Sequence, residues 1–461
     1  MAGQSGEDVF DLVVLGGGSA GLAGSLRAAR HGARVALLEP AAIGGTCVNR
    51  GCVPKKAMWL AAELAGRLAL APGLGFRGQA PALDWPALLA RRQGYVESIH
   101  ASYRRALDEA GVVLLSTHGR LLDAHTVQTG DGRRLHAGQV LVATGSRPRR
   151  PQMPGADLAG VSDDFFELRA APARVALVGG GAIAVEMAGV LQALGSQVEI
   201  FARGPRLLAG HDAQLVRQLQ EDMVRDGVRL HLDTPVTALA GEPGRVRVRH
   251  ARSEDGPDND AGSGPFDLVL FVAGRVPNSA GLGLEALGVE LGKDGEVVVD
   301  DYQRTTVDGI HAVGDVTAKL PLTPVAVAAA RRLMDRLYGG QPEARLDYAN
   351  VPQVVFGRPP LAGVGLTEEQ ARDAHGDQVS IHTACFRPML AALAGSPRHS
   401  LFKLVCLGPE QRVVGIHLLG EGADEILQGF AVALALGLTR AQLEQAVAIH
   451  PTSAEEVLLM P

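Results

Sequence analysis

Residues 9–39 read VFDLVVLGGGSAGLAGSLRAARHGARVALLE. An apolar, β-branched run enters a glycine turn, an Ala- and Leu-rich stretch follows, His31-Gly32 stops it, and a second apolar run begins; the order predicts a strand-helix-strand unit. Residues 174–203, RVALVGGGAIAVEMAGVLQALGSQVEIFAR, repeat that order 163 residues later, with Gly179, Gly181 and Ala184 at the places of Gly16, Gly18 and Gly21. A lone GxGxxG is a weak sign. Two copies, each between a strand and a helix start, predict two Rossmann-like dinucleotide sites, because small residues there let the backbone approach a pyrophosphate and exposed N–H groups meet it.

Outward from the two units the rest of the architecture follows. Similar closing segments come after each, VLVATGSRP at 140–148 and LVLFVAGRVP at 268–277. Residues 251–265, ARSEDGPDNDAGSGP, predict a mobile hairpin loop joining strands near 245–250 and 266–272. From about residue 346 the chain changes to strands without a glycine fingerprint (QVVF, HTACF, LFKLVC, VVGIHLL) and helices at 421–437 and 440–447, an α+β segment ending in AIHPTSAEEVLLMP. The expected organisation is an α/β chain: one nucleotide domain from 1–150 with 280–345, a second from 151–279, and a C-terminal α+β domain from 346–461.

Composition narrows the class. The 461 residues are 46% hydrophobic and 20% charged, which excludes disorder and allows about three cores. A net charge of −6 gives no electrostatic reason to expect nucleic acid or an anionic membrane. Cys47, Cys52, Cys385 and Cys406 form no disulfide framework and lack the paired CxxC spacing of a zinc site, so no metal is expected. The opening MAGQSGEDVF has neither the cationic region nor the apolar core of a signal peptide, and every apolar stretch breaks before the ~18 residues of a membrane span; a soluble cytoplasmic protein is expected.

The residue closing the second strand of such a unit meets the adenosine ribose. Glu39 stands 23 places after Gly16, and Ala202 stands 23 places after Gly179. A carboxylate accepts hydrogen bonds from ribose hydroxyls but repels a 2′-phosphate by about 4 kcal/mol at ~4 Å and an effective dielectric of ~20. Glu39 therefore excludes NADP from the first site. Ala202 removes the repulsion, and Arg203 and Arg206 bring guanidinium groups to a phosphate, so the second site should prefer NADPH.

Just beyond Glu39, GGTCVNRGCVPKK at 44–56 sets Cys47 and Cys52 five apart at the expected start of a helix. Thiols this close can form a disulfide, and a helix N-terminus with Lys55 and Lys56 alongside favours the thiolate. Cys385 and Cys406 lie in apolar strands and read as buried small hydrophobes.

With GGGSAG, GGTCVNRGCVPKK, ATGSRP, GGGAIAVE, AVGDV, LTPVAVAA, VGIHLLG and HPTSAEE in hand, the chain resembles the pyridine nucleotide-disulfide oxidoreductases over nearly its whole length, and among them most resembles the glutathione reductases. The resemblance implies FAD in the first site, NADPH in the second and a homodimer sharing its active sites. It assigns Gly16, Gly18, Ser19, Gly21, Glu39, Thr46, Gly145 and Asp315 to FAD, and Gly179, Gly181, Arg203, Arg206, Gly274 and Arg275 to cofactor contacts on the nucleotide side. Lys55 and Glu186 would pair beside the flavin, Cys52 would contact it, and Cys47 would attack the substrate disulfide. His450, oriented by Glu455, would be the acid-base, both coming from the neighbouring subunit; an imidazole gains and loses a proton near neutrality.

Among relatives, a dihydrolipoamide dehydrogenase would carry an acidic residue at the place of Ala202, and mercuric or large thioredoxin reductases need a further C-terminal redox pair where this chain reads LLMP. Arg331, Tyr103 and Arg27 match residues that glutathione reductases use for glutathione disulfide. Three departures stand out: Leu26 replaces a second substrate arginine, Ala209 replaces a second phosphate-binding arginine with Arg206 as stand-in, and Ala182 replaces a tyrosine covering the nicotinamide pocket. An NADPH-dependent reductase of another small disulfide, an NAD-linked dihydrolipoamide dehydrogenase, or a flavin-bound scaffold without turnover are the alternatives.

Overall fold

The computed structural model describes residues 8–251 and 261–461. Two compact units form, one from residues 1–55, 90–148 and 275–348, the other from 56–89, 149–274 and 349–461.

In the first unit the strands Val113–Leu115, Val35–Leu38, Val9–Leu15 and Arg134–Val142 lie side by side in parallel, Ile310–Ala312 pairs in parallel with the last, and Thr126–Thr129 and Gly119–Asp123 extend the sheet as an antiparallel arm. The run Leu12–Leu15 is apolar at every position because both faces are covered. Leu12 and Val14 pack with Ala20, Leu22 and Ala330 of the helices Ser19–Arg30 and Thr323–Tyr338, while Val13 and Leu15 pack with Leu121, Val127 and Leu135.

The second unit repeats the plan. Its parallel sheet runs Arg229–His231, Gln197–Phe201, Arg174–Val178, Leu268–Phe271, Gly160–Val161. Val175 and Leu177 face the helix Ala182–Ala193, and Ala176 and Val178 face Leu239, Val246 and Phe266 of a three-stranded antiparallel layer. In each copy the first glycine has a left-handed backbone and no room for a side chain: at Gly16 (φ +104°) a Cβ would stand 2.5 Å from the carbonyl oxygen of Ala143, at Gly179 (φ +145°) 2.5 Å from that of Val272. The closing segments thus sit at equivalent places.

A five-stranded antiparallel sheet, Gln353–Val355, Leu361–Gly365, Arg412–Leu419, Ser400–Leu407, Val379–Phe386, completes this unit, with Leu427, Ala431 and Leu434 of the helix Ala423–Ala435 packed against Phe402, Leu404 and Leu418. Cys406 is buried there. Cys385 is exposed, against expectation, because Val379–Phe386 is an edge strand whose apolar neighbours in sequence do not cover it.

The loop expected over 251–265 falls largely on residues 252–260, outside the described residues. Its far end is a strand, Ala261–Phe266, paired with Arg245–His250, and a separate strand Leu268–Phe271 follows in the parallel sheet. Residues 1–7, on which the reading of the chain start rests, also lie outside the described residues.

Candidate active site

The first glycine turn is locked to the end of the second strand. Gly17 donates its N–H to Glu39 Oε2 at 2.8 Å, and Ala41 donates to Oε1 at 2.9 Å, so the carboxylate is fixed beside the turn. The second turn repeats the geometry without the charge: a Cβ at Gly180 would lie 3.1 Å from the Ala202 Cβ, as one at Gly17 would lie 2.9 Å from the Glu39 Cβ. The place-for-place comparison of Glu39 with Ala202 therefore holds in three dimensions.

The segment after Ala202 folds back on its own turn, Leu208 donating its N–H to the carbonyl of Gly180 at 2.8 Å. Arg203 is exposed and has no ion-pair partner among the described residues. Arg206 reaches the backbone carbonyl of Ala209 at 2.9 Å, which puts its guanidinium at the position where the second arginine was missing. It is also engaged by Glu369, each carboxylate oxygen at 2.9 Å, a partner that sequence alone did not reveal.

The cysteine loop lies against the first glycine turn, backbone on backbone. Gly44 donates its N–H to the Gly17 carbonyl at 2.9 Å, and a Cβ at Gly45 would stand 2.6 Å from the Gly18 Cα. Asn49 fastens the loop, its amide reaching the carbonyls of Ala42, Ile43 and Gly45 at 2.9–3.2 Å while its oxygen meets His100 Nε2 at 2.8 Å. Cys47 sits in the short helix Gly45–Asn49; Cys52 opens the helix Cys52–Leu70 with its sulfur 3.6 Å from Thr323 Oγ1.

Both sulfurs are thiols here. Hydrogen bonding to the Cys52 sulfur, then burial, pushes the Cys47 thiol above its ordinary range, and the hydroxyls of Thr323 and Ser19 only partly offset this. Lys56 does not help: its Nζ lies 2.9 Å from Asp424 and 4.0 Å from the ring centroids of Trp59 and Phe356. Tyr103 faces the same place; burial and the Cys47 charge raise its hydroxyl.

Beside the cysteines runs a polar chain that sequence reading gave only in pieces. Ser146 Oγ donates to Asp315 Oδ2 at 2.8 Å, Arg275 Nε donates to Ser146 Oγ at 2.8 Å, and Arg275 Nη2 reaches the Ser146 carbonyl at 2.6 Å and Thr46 Oγ1 at 3.4 Å. Gly145, left-handed at φ +69°, accepts from the Asn278 N–H. Gly274 accepts from the N–H of Arg149 at 3.0 Å. Lys55 is half-buried, and Glu186 Oε1 accepts the N–H of Phe356 at 3.0 Å.

At the other end of the chain His450 Nδ1 stands 2.9 Å from Glu455 Oε2, with 78% of the imidazole side chain exposed. The hydrogen bond from His450, then that from the Thr452 N–H, holds the Glu455 carboxyl below its ordinary value. Of the three substrate candidates, Arg331 is exposed on the helix Thr323–Tyr338 without an ion-pair partner among the described residues, whereas Arg27 is hydrogen-bonded to Asp335, which also takes His31 Nε2 at 2.9 Å.

Residues 10–330 match the family model described as pyridine nucleotide-disulphide oxidoreductase, and residues 351–461 match that family's dimerisation domain. The chain belongs to the pyridine nucleotide-disulphide oxidoreductase family. Within it, a glutathione reductase of Schizosaccharomyces pombe is 40% identical over 464 residues, one of Burkholderia cepacia 39% over 451, and one of Yarrowia lipolytica 38% over 468, each alignment covering 98% of both chains. No helix among the described residues is long and apolar enough to cross a membrane.

Proposed function

We propose that the chain is an FAD- and NADPH-dependent reductase of glutathione disulfide, working as a homodimer. The observation that carries the reading is the contact of Gly44 and Gly45 with Gly17 and Gly18, which seats the Cys47–Cys52 pair on the turn that would hold the first dinucleotide. The residues fit both cofactors: Gly16, Gly18, Ser19, Gly21, Glu39, Thr46, Gly145 and Asp315 would hold FAD, Gly179, Gly181, Arg203, Arg206, Gly274 and Arg275 would serve the NADPH side, and Lys55 and Glu186 would pair beside the flavin. When bound, the two cofactors supply the electron pair that reduces the Cys47–Cys52 disulfide.

The protein's own residues do the rest. The Cys47 thiol, held up by its neighbour, gives its proton to His450 and attacks one sulfur of the substrate; the bond between the substrate sulfurs breaks, and the first glutathione leaves as a thiolate that takes the proton back from His450. Cys52 then attacks Cys47, expels the second glutathione and restores the intramolecular disulfide. Glu455 keeps the ring in the tautomer with its other nitrogen toward the reacting sulfur. Arg331, Tyr103 and Arg27 would receive the substrate, Arg27 while also holding Asp335.

The reading includes three domains (1–150 with 280–345, 151–279, 346–461), a cytoplasmic location, and His450 and Glu455 acting across the dimer. Steady-state oxidation of NADPH and of NADH against a panel of small disulfides tests it. Turnover that requires glutathione disulfide and NADPH supports it; preference for a different disulfide, or no turnover by flavin-loaded dimer, overturns it. An active monomer would refute the shared site.

A further inference from the structure

Resting on the reading of Arg206 as a contact for the 2′-phosphate, we propose that Glu369 is a specificity-determining residue that competes with that phosphate for the Arg206 guanidinium. The two oxygens of Glu369 take both terminal nitrogens of Arg206 at 2.9 Å each, the fork-to-fork geometry that a phosphate would use. The pair is placed at the second dinucleotide turn, because the segment carrying Arg206 is hydrogen-bonded through Leu208 to Gly180.

The carboxylate is held in place from beneath. Glu369 lies in the first turn of the helix Glu368–His375, which Thr367 caps, and the neighbouring Glu368 is bound by Lys403 at 2.9 Å. Lys403, 1% exposed, also bonds Asp212 at 2.9 and 3.1 Å, and Asp212 caps the helix that follows the Arg206 segment. Glu369 itself is 54% exposed, and its ion-pair partner among the described residues is Arg206. A phosphate entering here meets a guanidinium already neutralised and a carboxylate at close range, and both effects weaken its binding. The same contacts do not touch a nucleotide lacking the 2′-phosphate, so Glu369 narrows the margin between NADPH and NADH.

The test is titration calorimetry of 2′,5′-ADP and of 5′-ADP on flavin-loaded dimer of the wild type, Glu369→Gln, Arg206→Ala and the double variant. Glu369→Gln should bind 2′,5′-ADP about two- to fivefold more tightly, the scale of one exposed charge contact, with 5′-ADP unchanged and the gain absent in the Arg206→Ala background. Unchanged or weaker 2′,5′-ADP binding by Glu369→Gln, while Arg206→Ala weakens it, overturns the competition alone. Unchanged binding by Arg206→Ala overturns both the competition and the assignment of Arg206 to the phosphate.

Discussion

His450 and Glu455, five residues apart, form a hydrogen-bonded pair at 2.9 Å in which the carboxylate is largely covered and the imidazole largely open. On the proposed mechanism the carboxylate would position the ring and the ring would react. His450→Ala should lower kcat with glutathione disulfide by about 10²–10⁴-fold, while bleaching of the flavin by NADPH continues. Glu455→Gln should cost less and shift the pH profile of kcat; an unaltered profile would mean that Glu455 only closes the turn.

Cys47 owes its raised thiol first to the Cys52 sulfur. Cys52→Ala should lower that value and speed alkylation of Cys47 by iodoacetamide at neutral pH by about tenfold, the equivalent of one pH unit in thiolate population. Slower alkylation would contradict the hydrogen bond as the dominant cause. Cys47→Ser should abolish disulfide turnover.

Asp335 is covered and receives Arg27 and His31. Burial pushes its carboxyl up, but the hydrogen bonds overcome this and hold it below the ordinary value. A depressed value means that the folded state favours the ionised form, so this stabilisation is present at neutral pH and is lost as the pH falls through the folded-state value. Asp335→Asn should destabilise the protein by about 1–3 kcal/mol in urea titrations at pH 7, and the difference from wild type should shrink below about pH 4. A constant difference would mean that charge is not what Asp335 contributes.

Lys403 and Asp212 are a buried ion pair. Removing one partner strands the other, so Lys403→Met should cost about 3–5 kcal/mol, and the double variant with Asp212→Asn should recover much of it, because asparagine still caps the helix. Equal loss in the single and double variants would show packing rather than charge to be responsible.

The parts legible in the sequence are those set by short spacing: the two strand-helix-strand units, Glu39 against Ala202, the cysteine pair, and His450 with Glu455. What escaped was made by residues far apart. Arg27 meets Asp335 across 308 positions and Arg206 meets Glu369 across 163, and a lone arginine in a sequence does not disclose whether its charge is already spent. Cys385 misled because apolar neighbours do not reveal an edge strand. That Lys56 turns toward Asp424 was likewise not visible in the sequence.

The first parallel sheet takes its strand Ile310–Ala312 from beyond the second sheet's Leu268–Phe271. During synthesis, then, the parallel sheet of residues 160–271 has all its strands out of the ribosome before the earlier-started one does. The half of the molecule translated first is the half that must wait, the Val140–Val142 end of its strand Arg134–Val142 unpaired on that side until some 170 further residues have followed.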